Sequence, residues 1–169
     1  MLSTVAQQLN AMASVSDENA LRPILNAIAD RLASQAFNAG TLAIATTTQH
    51  VKTTGTVKAV AGGRHVALSA ADPIYSLVAA NSVAINKFNV LCLYVDSAGT
   101  VSAKMGAEAG SLAAVVYPTP DVGKALFGIV TISAGANVFT GGTTALTGGT
   151  VTVTYTDVIG AVDPSIALS

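Results

Sequence analysis

The 169 residues carry 8 Lys and Arg against 9 Asp and Glu, a net charge of −1, and charged residues are only 10% of the chain, against about a quarter in an average soluble domain. The cations (Arg22, Arg31, Lys52, Lys58, Arg64, Lys87, Lys104, Lys124) stand singly, so no patch can replace the counterions of a nucleic-acid backbone. So little charge also leaves little to hold copies of the chain apart.

The length suits one domain with an appendage. Hydrophobic residues are 51% but aromatics 5%, with no Trp. The apolar content is therefore mostly Ala and Val, which suit close backbone packing. A surface largely covered by other subunits is one reading of this balance; an Ala- and Thr-rich monomer kept soluble by hydroxyls is the other. No apolar run approaches the roughly 20 residues that span a bilayer. The start, MLSTVAQQLNAMAS, lacks a basic residue, and Gln7, Gln8 and Asn10 interrupt it. The expectation is a protein made in a cytosol and not exported through a signal peptide. A single cysteine, Cys92, excludes an intrachain disulfide framework.

Residues 1 to 15 can form a short helix with Val5, Leu9 and Met12 on one side. Ser16 is a fitting N-cap for a second one, with Asp17 and Glu18 in its first turn, where carboxylates meet the positive end of the dipole. Pro23 is tolerated only near such a start. Leu21, Leu25, Ile28 and Leu32 follow at spacings of four, three and four, with Ile24 widening the stripe. The stripe is too short to hold a coiled coil alone. It can pack on its own domain or on the same helix of neighbouring subunits, which makes these four residues the candidate oligomer contact. Asn38-Ala39-Gly40 is the expected stop. The expected division is a helical segment over residues 1–40, a β domain over 41–157 and a tail or arm over 158–169.

From Thr41 the texture is Thr- and Val-rich. Strands are expected over 41–48 and 51–61, with a turn or bulge at Thr54-Gly55-Thr56. Gly62-Gly63 is a hairpin turn into 64–69. Residues 70–86 are ambiguous, with Asp72-Pro73 a turn signal. Phe88 to Val95 is a nearly continuous apolar run, the mark of a strand covered on both faces. Asp96-Ser97-Ala98-Gly99 has the composition of a type I turn, and 100–105 returns as its partner strand. The next strand, 125–133, is entered through Pro118-Thr119-Pro120 and Gly123. In the last, 150–156, Val151, Val153 and Tyr155 alternate with four threonines, as a half-buried antiparallel strand requires. Some seven to nine short strands give the fold class: mainly β, a small antiparallel sandwich or barrel with an N-terminal helical segment.

Nothing along the chain has the spacing of chemistry. His50 and His65, both on expected strands, have no carboxylate or thiol at ligand spacing, so no metal is expected. Cys92 lies in the most apolar strand with no base nearby in sequence. Asp96, Glu108 and Asp121 could converge as a glycosidase pair, although turns explain Asp96 and Asp121 better. Gly123-Lys124 lacks the Ser or Thr and the earlier Gly of a phosphate loop, and Asp96 to Gly99 is too sparse for a calcium loop. Tyr75, Tyr94, Tyr117 and Tyr155 have no regular spacing for stacking on sugars or bases. The expectation is no enzyme, no catalytic residue and no cofactor.

Three segments carry a resemblance: LYVDSAGTVSAKMGAEA (93–109), VVYPTPDVGKALFGIVTI (115–132) and NVFTGGTTAL (137–146). In this order they resemble a pattern of bacteriophage virion structural proteins. There a YVDAAGTV-type hairpin precedes a P…GKA-IG-V-V segment and an F–GTTAL segment. The likeness covers about residues 87 to 157. It implies a head decoration (cement) protein on the capsid surface, a homotrimer bound to the major capsid protein and made in the host cytoplasm. Head fibres and tail modules that bind a receptor or glycan draw on similar β modules and are the alternative.

Overall fold

The structure, a computed structural model, describes residues 18–149 and 151–162. The expected first helix, the Ser16 cap, Asp17 and the last seven residues of the tail lie outside them. One helix and twelve strands follow in order: α1 (Glu18–Leu32), β1 (Gln35–Ala36), β2 (Leu42–Ile44), β3 (Val51–Thr53), β4 (Val57–Ala61), β5 (Arg64–Leu68), β6 (Ala71–Tyr75), β7 (Ser82–Val83), β8 (Phe88–Val95), β9 (Val101–Met105), β10 (Ala125–Ala134), β11 (Phe139–Thr140) and β12 (Val151–Asp157). A 3-10 turn spans Leu112–Ala114.

The mainly β class is as the sequence indicates, with more and shorter strands than expected because five of the twelve have only two or three residues. They form sheets in the orders β12-β10-β8-β9, β1-β4-β5, β2-β3-β6 and β11-β7, every pairing antiparallel. The layers are those of a small β-sandwich. The four-stranded sheet is the central layer, and alternation decides which side chains each face receives. Leu91, Leu93 and Val95 of β8, Val130 and Ile132 of β10 and Val151 of β12 share one core with Ala36, Val57, Ala59, Leu42 and Val51 of the two three-stranded sheets. The opposite face buries Val90, Cys92, Tyr94, Leu126 and Ile129 under Val115 and Val158. Covered on both sides, β8 reads as the continuous apolar run that its sequence is.

Local chemistry fixes the connections. Gly62 and Gly63 have φ of 55° and 76°, the pair of positive values that a two-residue hairpin turn needs, and Ala61 pairs with Arg64 across it. Asp96 closes the β8–β9 hairpin: its Oδ1 accepts from Ala98 N and Thr100 N at 2.9 Å each. Between β9 and β10 the chain crosses the second face of the central sheet. A Cβ on Gly106 would lie 2.6 Å from the Val116 carbonyl oxygen, so only glycine lets the crossing segment come so close.

Three sequence expectations need correction. The helix ends at Leu32, well before Asn38-Ala39-Gly40, because Ala36 is fully buried and pairs with Ala59 of β4. Asn38 serves that sheet: its Oδ1 accepts from Lys58 N and its Nδ2 donates to Thr56 O, both at 2.7 Å. The β domain therefore begins before residue 40, and it runs past 157, since Gly160 N donates to Ala36 O at 2.7 Å. Pro23 sits inside α1. Asp72-Pro73, read as a turn, lies within β6, with a cis peptide bond. An outer strand tolerates the missing N–H, and the β3–β6 register shifts there.

Candidate functional site

α1 is the element least absorbed by its own domain. Hydrogen bonds join it to the β domain at its C-terminal end and just beyond. Asp30 Oδ1 accepts from Gly123 N at 3.0 Å, the Ala33 carbonyl from Gly63 N at 2.9 Å, and Ser34 Oγ from Gly62 N at 3.2 Å. Of its apolar side chains Ile24 is buried and Ile28 half-buried, while Leu21, Leu25 and Leu32 are 39%, 52% and 62% exposed. The helix thus turns its isoleucines inward and its leucines outward. The candidate contact Leu21, Leu25, Ile28 and Leu32 is one stripe, and Ile28 is its least exposed member. Ile24, at first only a widening of the stripe, is the more deeply buried of the two isoleucines. Sequence could not rank them, because a 3.6-residue period defines a stripe but not its angle to a sheet.

Beside the helix a groove of about 390 Å³ opens, lined among others by Pro23, Asn26, Asp30, Val122, Lys124 and Val162. Its far wall is the 119–124 turn, held down by charge. Asp121 accepts from Lys104 Nζ and pairs with Lys124 Nζ at 3.1 Å, and Lys104 also donates to Thr119 O at 3.3 Å. This arrangement leaves Val122 projecting, 84% exposed. The hydrogen bond from Lys104, then that from Lys124, holds the Asp121 carboxyl below the usual range. Asp121 is therefore the centre of an ion-pair pin as well as a turn former.

The remaining candidates are scattered and structurally occupied. His50 lies in the turn before β3, not on a strand, and its Nδ1 accepts from Leu77 N at 3.2 Å. His65 is on β5, exposed, with its ring 5.7 Å from that of Phe37. Cys92 is fully buried, and burial pushes its thiol up to about 12, far from a nucleophile's range. Asp96 is held low first by the Thr100 amide, and Glu108 Oε2 accepts from Ala84 N at 2.9 Å. Of the tyrosines, Tyr94 is buried and Tyr75, Tyr117 and Tyr155 are half-buried. Among the described residues no three His, Cys, Asp or Glu side chains come together as a metal site, and no helix is long and apolar enough to cross a membrane.

Neither a protein family, nor a curated protein, nor a solved structure matches the chain. The site is therefore defined by its geometry: an exposed leucine stripe on a helix hydrogen-bonded to the β domain at its C-terminal end, beside a groove with an exposed valine on its rim.

Proposed function

We propose that this protein is a non-enzymatic virion structural protein of a bacteriophage, a decoration protein that self-associates and binds the assembled head. The observation that carries the reading is the outward face of α1. Three leucines 39%, 52% and 62% exposed forgo part of the roughly 1.5–3 kcal/mol that full burial of each would contribute, and a helix of 15 residues has marginal stability of its own. Cover by neighbouring subunits recovers both, and rotational symmetry repeats the gain in every copy; a homotrimer is the oligomer that the resemblance implies. The near-neutral, small-residue surface and the resemblance of residues 87–157 to virion proteins support the assignment to a capsid.

Stabilisation then works by mass action. A protein that binds the closed shell and not its free subunits opposes disassembly by RT ln(1 + [L]/Kd). The test is copy number in purified particles, together with shell melting with and without the protein. Hundreds of copies and a raised melting temperature are expected on this reading. A handful of copies would transfer the protein to a fibre or tail, and absence from particles would sink the virion assignment.

A further inference from the structure

The two edges of the central sheet are built differently. β9 carries Lys104, paired with Asp121, and is flanked by β6. β12 is flanked by β2 to a similar extent, but among the described residues it carries no such ion pair along its length. Over Val151–Asp157 it pairs with β10 without a register shift, from Ala134↔Val151 to Gly128↔Asp157. It holds neither proline nor lysine, and its one charge, Asp157, is its last residue. There Leu42 N donates to Asp157 Oδ1 at 3.2 Å, where β2 meets the strand. Among the described residues, the hydrogen bonds of Thr152 to Thr156 run to β10 alone. Alternate residues therefore present N–H and C=O groups outward. An edge with no charge, bulge or proline is open to pairing with another strand.

The side chains indicate which strand fits. If a second β12 is laid antiparallel with Thr154 opposite Thr154, then Thr152 meets Thr156 and Val153 meets Tyr155. Thr–Thr and aromatic–β-branched neighbours are favourable cross-strand pairs. The two Asp157 carboxylates fall at opposite ends, so no like charges meet. Thr152 and Thr154 are exposed, and Val153, Tyr155 and Thr156 are only half-buried, so every pair has surface to cover.

We propose that β12 is a two-fold contact at which two copies of this chain join their central sheets into one of eight strands, with Thr154 on the axis. The contact stands independently of the virion assignment. A two-fold pairing is not an operation of a three-fold ring, so where α1 closes the trimer proposed above, the contact is separate from it and joins one trimer to the next.

Cysteine cross-linking of the full chain tests both the contact and its register. Facing residues in antiparallel strands have Cα atoms about 4.5–5.5 Å apart, within disulfide reach, and buried Cys92 does not compete. Thr154→Cys is expected to give a covalent dimer on mild oxidation and Thr152→Cys alone to give little. A mixture of Thr152→Cys and Thr156→Cys chains should give a heterodimer. Separately, Thr154→Lys and Thr154→Glu, each on an exposed position and checked for an unchanged circular dichroism spectrum, should each lose the contact in sedimentation. Mixing the two should restore it. Failure of Thr154→Cys to cross-link, equal cross-linking at all three positions, or no recovery on mixing the charged variants would overturn the proposal.

Discussion

The central strands and the helix solve the same problem in opposite ways. From Asn89 to Val95 every side chain of β8 is buried, by β10 and β9 on its flanks and by a core on each face. α1 has a similar aliphatic content, yet it leaves three leucines outside. The difference is one of supply. A sheet strand acquires its cover from strands of its own chain. α1, at the margin of the sandwich, keeps Leu21, Leu25 and Leu32 exposed while Ile24 is buried. Burial is therefore concentrated in the β layers, and the exposed apolar surface of the helix and the edge of β12 are where the proposed contacts lie.

The sharpest test of that contrast is a charge on each. Val153→Asp places a carboxylate on the face of β12 that packs against the main core, and loss of cooperative folding is expected because the charge has no partner there. Thr152→Asp, one residue away on an exposed position, should change the melting temperature little. Equal damage from both would show that the two faces of β12 are not distinct. Truncation inside the core comes next: Phe127→Ala, at a fully buried ring, should cost about 3–5 kcal/mol in chemical denaturation.

On the helix the balance reverses. Leu25→Lys and Leu32→Lys together should leave stability within about 0.5 kcal/mol each, as exposed positions do, while shifting sedimentation toward a smaller species. A large loss of stability without a change in mass would place the stripe against its own subunit. Removing residues 1–32, a cut that spares β1, should likewise leave β-rich circular dichroism intact and weaken association.

Acid probes the carboxylates that hold the turns and outer strands of the β layers. Asp72 is held low by Thr46, Asp96 by the Thr100 amide and Asp121 by Lys104. A folded-state pKa below the unfolded one contributes stability that is full above the unfolded value, about 3.9, and is lost as pH falls through the folded value. Melting temperature should therefore drop below about pH 4. Asp121→Asn should flatten part of that drop, by a modest amount because these groups are exposed to solvent. The smallest effect is expected at Tyr155, whose buried hydroxyl has no hydrogen-bond partner among the described residues. Tyr155→Phe should be neutral or stabilising by up to about 1 kcal/mol in thermal melts.

What the sequence by itself determined was whatever rests on neighbours a few residues away. Alternation in β12, the unbroken run of β8, the Gly62-Gly63 turn and the Asp96 turn all follow from local dihedral preference and side-chain period, and all are found. The helix and its leucine stripe were legible for the same reason. What tertiary structure decided was what depends on distant partners. Burial of Ala36 against β4 ended the helix early, because a strand pairing outweighed a weak stop signal. The alignment of Lys104 and Lys124 about Asp121, residues up to 17 apart in the chain, made a pin of a residue that sequence reads as a turn former. Packing around α1 buried Ile24 and left the leucines exposed, since only packing distinguishes apolar residues on one helical face. The openness of the β12 edge is likewise invisible to a period of two, which says which side chains share a face and not whether another strand lies alongside.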